Sequence, residues 1–182
     1  MTTANVSDIR NICLVGHTGS GKTTLTERLL LATGVIKRMG TVEEGNTVSD
    51  FSDEEKHHKH SLQPAVVHFP FEGHDINVID TPGLADFLGH AIGCLPAVET
   101  VAVVVDASKG IENVTRRMMN VAADRERPRM IIVNKIDHPE CELEMLTAQL
   151  RDAFGSICLP INLPAADGNG VINVFEHDGK DG

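Results

Sequence analysis

Apolar residues in this sequence fall in short runs parted by polar stretches, and the runs show two periods. Ile9 to Gly16 (IRNICLVG) reads as a buried strand that enters a glycine-rich turn, Gly16 to Gly21. Lys22 to Ala32 (KTTLTERLLLA) carries leucines at helical spacing, and Gly34 is placed to cap it. The polar stretch from Arg38 to Gln63 lacks clear periodicity and is expected to be a long loop. Ala65 to Phe71 and His74 to Asp80 read as a hairpin about Glu72-Gly73. A helix is expected within Asp86 to Leu95. Val101 to Val105 is apolar throughout, as in a strand covered on both faces. Glu112 to Asp124 is helical in pattern and ends before Pro128. Met130 to Val133 reads as a strand, Pro139 to Phe154 as a helix opened by its proline, and Ile157 to Ile161 as the last core strand. Val171 to Phe175 reads as a short strand in a ragged end.

Strands alternating with helices predict an α/β fold, a mostly parallel sheet with helices on both faces. Ligands of such sheets sit beyond the carboxyl ends of the strands. Three of those ends carry chemistry here.

After Val15 comes Gly16-His17-Thr18-Gly19-Ser20-Gly21-Lys22-Thr23, with Thr24 following, which fits a P-loop between strand and helix. Glycines let the backbone curl and aim N–H groups at phosphate oxygens, and the helix N-terminus adds partial positive charge. Lys22 brings a full charge to the β- and γ-phosphates, and the Thr23 hydroxyl suits Mg²⁺. After Ile79 comes Asp80-Thr81-Pro82-Gly83. Asp80 is expected to hold Mg²⁺ through water, and the Gly83 N–H to meet the γ-phosphate. The same D-x-x-G pattern fits at Asp86, Asp152 and Asp167, but only Asp80 ends an apolar strand soon after the P-loop unit. After Val133 comes Asn134-Lys135-Ile136-Asp137. A carboxylate accepts two parallel bonds from guanine, whereas adenine presents an acceptor there, so Asp137 selects GTP over ATP. The Lys135 stem can cover the base, and Asn134 can tie this loop to the P-loop. Lys22 and Gly83 are the residues expected to act in catalysis.

Composition narrows the classes. The chain has 182 residues, 41% of them hydrophobic, which suits one nucleotide-binding domain. Its formal net charge of −10 argues against direct binding of free nucleic acid. Cys13, Cys94, Cys141 and Cys158 lack metal or redox spacing and read as buried reduced thiols of a cytoplasmic protein. Met1 to Asp8 is polar and unlike a signal peptide, and no apolar run is long enough to span a membrane. Glu43, Glu44, Asp50, Asp53, Glu54 and Glu55 read as a solvated acidic face, and Met118 and Met119 as core filling. His57, His58 and His60 are poorly spaced for one tetrahedral metal site and read as a solvated loop.

The segments NICLVGHTGSGKTTLTERLL, RMGTVEEGNTVSDF, INVIDTPGLADF, VVVDASKGIE and NKID resemble the GTP-binding (G) domain of translational GTPases, elongation factor G and its paralogues above all. The resemblance spans Ile9 to Asp137, and LPINLPAADGNGVINVF extends it. It implies GTP/GDP and Mg²⁺ as ligands, hydrolysis of GTP coupled to the ribosome, and further domains. The expected layout is a flexible N-terminus at 1–8, a G domain at 9–163, and the start of an inserted subdomain at 164–182, the fold being C-terminally incomplete. The family's further guanine-contacting S-A-x loop has no match here.

Three departures from the family stand out. Gly19 replaces an Asp inside the P-loop. The R-G-I-T of the first switch, whose Thr ligates Mg²⁺, corresponds to His58-Lys59-His60-Ser61, so Ser61 is the expected ligand. The family's His after D-T-P-G, which orients the attacking water, is Leu84. A side chain without a hydrogen-bonding group implies slow hydrolysis unless His17, His60 or His90 substitutes. The alternative function is therefore a slow GTP-binding regulatory switch. A P-loop ATPase or kinase conflicts with Asp137.

Overall fold

The computed structural model describes residues 5–164 and 170–176, which fall into two compact units, Met1–Leu143 and Glu144–Gly182. The first unit holds a five-stranded sheet of order β2-β3-β1-β4-β5. Its strands are β1 (Ile9–Val15), β2 (Ala65–Phe71), β3 (His74–Asp80), β4 (Thr100–Asp106) and β5 (Arg129–Asn134). β3, β1, β4 and β5 run parallel, and β2 pairs antiparallel with β3.

Burial follows the apolar pattern. The inner strand β4 is sealed from Val101 to Val105. The edge strand β2 alternates, with Ala65, Val67 and Phe69 buried and Val66 and His68 exposed, and its Pro70 is tolerated because an edge needs fewer donors. Leu30 of α1 (Lys22–Ala32) packs with Leu14, Val67, Phe69, Val78, Ala102 and Val104. Neighbouring strand residues point to opposite faces. Val101, Val103 and Val105 therefore face the other way, where α4 (Asn113–Asp124) buries Met118, Met119 and Ala122. The methionines are core filling, as expected.

Turn chemistry matches the sequence reading. Glu72 (φ 46°) and Gly73 (φ 79°) both take positive φ, as a two-residue hairpin of this twist requires. Gly34 (φ 75°) ends α1 with its N–H on Leu31 O, while Val35 N–H reaches Leu30 O. A short helix α3 (Leu88–Cys94) lies within the expected window. Cys13 is buried and the other three cysteines are partly so; all four are free thiols.

Four expectations differ from the structure. The 38–63 stretch is not all loop, because it contains α2 (Asp53–His58). Ser52 accepts from Glu55 N–H and the Glu55 side chain accepts from Ser52 N–H, a capping box that nucleates one and a half turns without apolar periodicity. The helix α5 spans Leu143–Phe154, all but its first residue in the second unit, so Pro139 lies outside it. Ile157 to Ile161 is not a core strand: Ile157 is 77% exposed and Leu159 69%. Pro160 interrupts that run and cannot donate to an inner ladder. The strands of this unit are β6 (Asn162–Pro164) and β7 (Val171–Asn173), paired antiparallel. β7 is shorter than the predicted Val171 to Phe175 because residues 174–176 form a turn. The D-x-x-G candidate at Asp167 lies outside the described residues.

Candidate functional site

The turn after β1 depends on glycine. Gly16 (φ 141°) lies against the Val104 carbonyl, where any Cβ would overlap the oxygen. Gly19 (φ 75°) is exposed, and Gly21 (φ 94°) is the N-cap of α1. Lys22 is buried, and its ammonium donates to Gly16 O at 3.0 Å and His17 O at 2.9 Å. Burial pushes its pKa down to about 8, against the pull of Asp80, Asp50 and Glu112. A Cβ on Gly83 would lie 2.5 Å from the Lys22 Nζ and 2.6 Å from the Thr18 N, so the Asp80–Gly83 loop is pressed against this turn. Thr81 fixes it by donating to Leu14 O at 2.7 Å.

Oxygen atoms crowd beside Thr23. The Thr23 hydroxyl donates to Asp80 Oδ2 at 2.8 Å, and the Ser61 hydroxyl donates to Asp50 Oδ1 at 2.6 Å. Thr23 and Ser61 oxygens are 3.2 Å apart. With both protons committed, that contact sets lone pair against lone pair. Asp80 Oδ1, Asp50 Oδ2 and the Ser49 hydroxyl are buried without a hydrogen-bond partner; the Ser20 hydroxyl of the glycine turn is likewise unpartnered but is not placed with them. Burial pushes the Asp80 carboxyl up to about 6 despite Lys22, and burial also raises Asp50. Two costly carboxylates, facing hydroxyls and orphaned oxygens make a donor set that fits a hard divalent cation. No group of three His, Cys, Asp or Glu side chains suited to a metal occurs among the described residues.

The loop after β5 joins this turn. Asn134 Nδ2 donates to Ser20 O at 2.9 Å, and the Lys135 Nζ donates to Gly19 O at 2.7 Å and to Asp106 Oδ2 at 2.7 Å. Burial opposes ionisation of Asp106, but bonds from Lys135 and Ser108 outweigh it and hold the carboxyl down at about 2. Asp137 is exposed on the same loop, and Thr24 is exposed on α1.

The structure thus gathers Gly16 through Thr23, Ser61, Asp80 through Gly83, Asn134 and Lys135. Of the candidate substitutes for Leu84, only His17 belongs to the turn, and its Nδ1 lies 3.1 Å from Glu112 Oε2. His60 packs against His58, and His90 against Phe87. Leu84 itself is half-buried directly after Gly83.

The acidic stretch needs correction. Asp50 and Glu55 are 3% and 1% exposed, not solvated. Glu55 accepts from Leu62 and Gln63 N–H, and Glu27 of α1, fully buried, accepts from Gly40 and Val48 N–H. Sequence reasoning missed Asp50, Glu27, Asp106 and Glu112. Of these, Asp106 carried a readable signal, since it ends an apolar strand as Asp80 does; Glu55, also misjudged, was announced by the capping pattern Ser52-x-x-Glu55.

Comparison with known proteins agrees with this arrangement. The sequence profile of the elongation factor Tu GTP binding domain matches residues 7–180. An elongation factor G-like protein of Mycobacterium tuberculosis (strain ATCC 25618 / H37Rv) is 38% identical over 160 residues, covering 88% of this chain and 22% of that protein. A mitochondrial ribosome-releasing factor 2 of Drosophila willistoni is 35% identical over 170 residues, covering 93% of this chain and 23% of its own. A crystallised Thermus thermophilus protein superposes with a TM-score of 0.87 at 41% identity, over 93% of this chain and 26% of that one. The chain thus spans about a quarter or less of the length of these relatives. With the profile covering nearly every residue and the P-loop, Asp80 and Asn134 loops converging at one place, the chain belongs to the family of elongation factor Tu-type GTP-binding domains.

Proposed function

We propose that this chain is the nucleotide-binding part of a larger, elongation factor G-like GTPase that hydrolyses GTP to GDP and phosphate on the ribosome, in the cytoplasm. The observation that carries the reading is the latch from Asn134 and Lys135 to the carbonyls of Ser20 and Gly19. It joins the Asn134–Asp137 loop to the Gly16–Gly21 turn, which supports reading the first as the base-binding loop and the second as the phosphate-binding turn. In this reading the backbone N–H groups of His17 to Thr23 and the Lys22 ammonium hold the phosphates, Asp137 reads guanine, and the Gly83 N–H meets the γ-phosphate. Thr23, Ser61 and, through water, Asp80 hold Mg²⁺, which supplies charge neutralisation on the phosphate oxygens. Residues 164–182 open a further subdomain.

Leu84 supports a second reading, a slow switch that acts by occupancy. It stands next to Gly83 with no group to orient water. Ribosome-stimulated turnover of the full-length protein separates the two. Fast stimulated turnover supports the first, and binding without stimulated turnover supports the second. Absence of any heat on titrating the full-length protein with GTP and Mg²⁺ overturns both. Guanine selection is tested by Asp137→Asn, which is expected to weaken GTP against ATP by about tenfold or more; an unchanged preference removes Asp137 from the site.

A further inference from the structure

Three lysines surround the phosphate-binding turn, and two are committed. Lys22 bonds to the Gly16 and His17 carbonyls, and Lys135 to the Gly19 carbonyl and Asp106. The third is Lys109, from the loop between β4 and α4. Its Nζ lies 3.9 Å from the place a Cβ on Gly19 would take. Its side chain is exposed and makes no hydrogen bond or ion pair among the described residues.

The loop that carries it is fixed. Lys109 N–H and Gly110 N–H both donate to Asp106 O, at 3.1 and 2.9 Å, and Gly110 takes φ 69°. Ser108 donates to Asp106 Oδ1 at 2.7 Å. Three residues on, Glu112 reaches His17 of the same turn. The loop therefore holds an uncommitted ammonium at the outer rim of the turn. The Asp80, Asp50, Asp106 and Glu112 carboxylates make that region acidic, so a polyanion entering it needs added positive charge. Gly19 leaves the approach open, because it has no side chain between the ammonium and the main-chain N–H groups.

We propose that Lys109 is a cation supplied in cis to the triphosphate. It reaches over Gly19 to the γ-phosphate oxygens and stabilises the charge on that group during transfer to water. This rests on the GTP reading above. A cation at that point is the known chemical remedy for slow phosphoryl transfer, supplied elsewhere by an arginine in cis or in trans. In this chain Leu84, directly after Gly83, has no group to orient water, which leaves more for such a cation to do.

The test uses the full-length protein with Mg²⁺ and compares wild type, Lys109→Ala and Lys109→Arg. Affinities are measured for GDP and for the β,γ-imido analogue of GTP, together with single-turnover hydrolysis. Lys109→Ala is expected to weaken the imido analogue by about tenfold or more, with GDP changed by less than about threefold. Hydrolysis should fall about a hundredfold or more, and Lys109→Arg should restore most of both. An unchanged ratio of the two affinities overturns the proposal, as does an equal loss for GDP and analogue. If the wild type binds nucleotide but never hydrolyses it, the hydrolytic reading fails while the affinity ratio still decides Lys109. If it binds no guanine nucleotide, both fall.

Discussion

Asp80 has one carboxylate oxygen on Thr23 and the other buried without a partner. Its pKa in the folded chain, about 6, stands above the ordinary 3.8. Between those values the folded state binds more protons than the unfolded one, so this group makes stability fall as pH rises through the window. Lys22 works in the opposite sense. Its pKa is lowered to about 8 from 10.5, so its contribution rises with pH between those values. Asp80→Asn should stabilise the nucleotide-free protein at pH 7.5 by about 1–3 kcal/mol in urea unfolding. The same variant should lose the extra stability that Mg²⁺ with GDP gives the wild type. A nucleotide-free variant weaker than wild type would show that the Lys22 attraction outweighs burial. Magnesium affinity of the wild type should also drop as pH falls below about 6, where the carboxyl takes up its proton. An affinity flat from pH 7.5 to 5 would remove Asp80 from the cation site.

At the scale of elements, the 38–63 segment is tied down by acids. Glu27 holds Gly40 and Val48 N–H groups at 2.8 and 2.6 Å, and Glu55 holds three more. Burial opposes ionisation of Glu55, but those backbone donors outweigh it and hold its pKa below the usual range. Glu27→Ala leaves two amides without their acceptor and should cost about 2–4 kcal/mol. Hydrogen exchange should show faster exchange at Gly40 and Val48 with α4 unchanged; equal protection in the variant would mean other groups hold the segment. Leu84→His, placed after Gly83, should speed ribosome-stimulated hydrolysis by about a hundredfold if water orientation limits the rate; no gain would shift the limit elsewhere.

This segment also marks where the sequence was hard to read. The sheet, α1, α4 and the hairpin announce themselves because apolar residues repeat at period two or 3.6, or run unbroken as in Val101–Val105. The phosphate turn and the Asn134 loop are local motifs at strand ends, and their residues arrive where spacing puts them. Asp50 and Glu27 are different. Their burial comes from backbone donors and hydroxyls far along the sequence, such as Ser61 on Asp50 and Val48 on Glu27, and no local period records that. Ile157 to Ile161 failed for the converse reason: a run of apolar residues says nothing of whether a neighbour covers it, and here Pro160 breaks the ladder.

At the scale of the whole molecule, charge sets what the protein attracts. With a formal net charge of −10, a free RNA or DNA duplex meets repulsion. A fluorescently labelled duplex at low salt should show no saturable binding to the described domain. Saturable binding that weakens with salt would instead reveal a basic patch strong enough to override the total. No helix among the described residues is long and apolar enough to cross a membrane.

Asn134 and Lys135 each grip a main-chain oxygen of the glycine turn, on Ser20 and Gly19. The loop after β5 and the glycine turn are thereby tied as one piece, and pulling on either would drag the other along. The 38–63 segment hangs separately, from Glu27 and Glu55. On the GTP reading proposed for this chain, loosening those two acids should shorten the stay of a bound nucleotide more than any change in the tied loops.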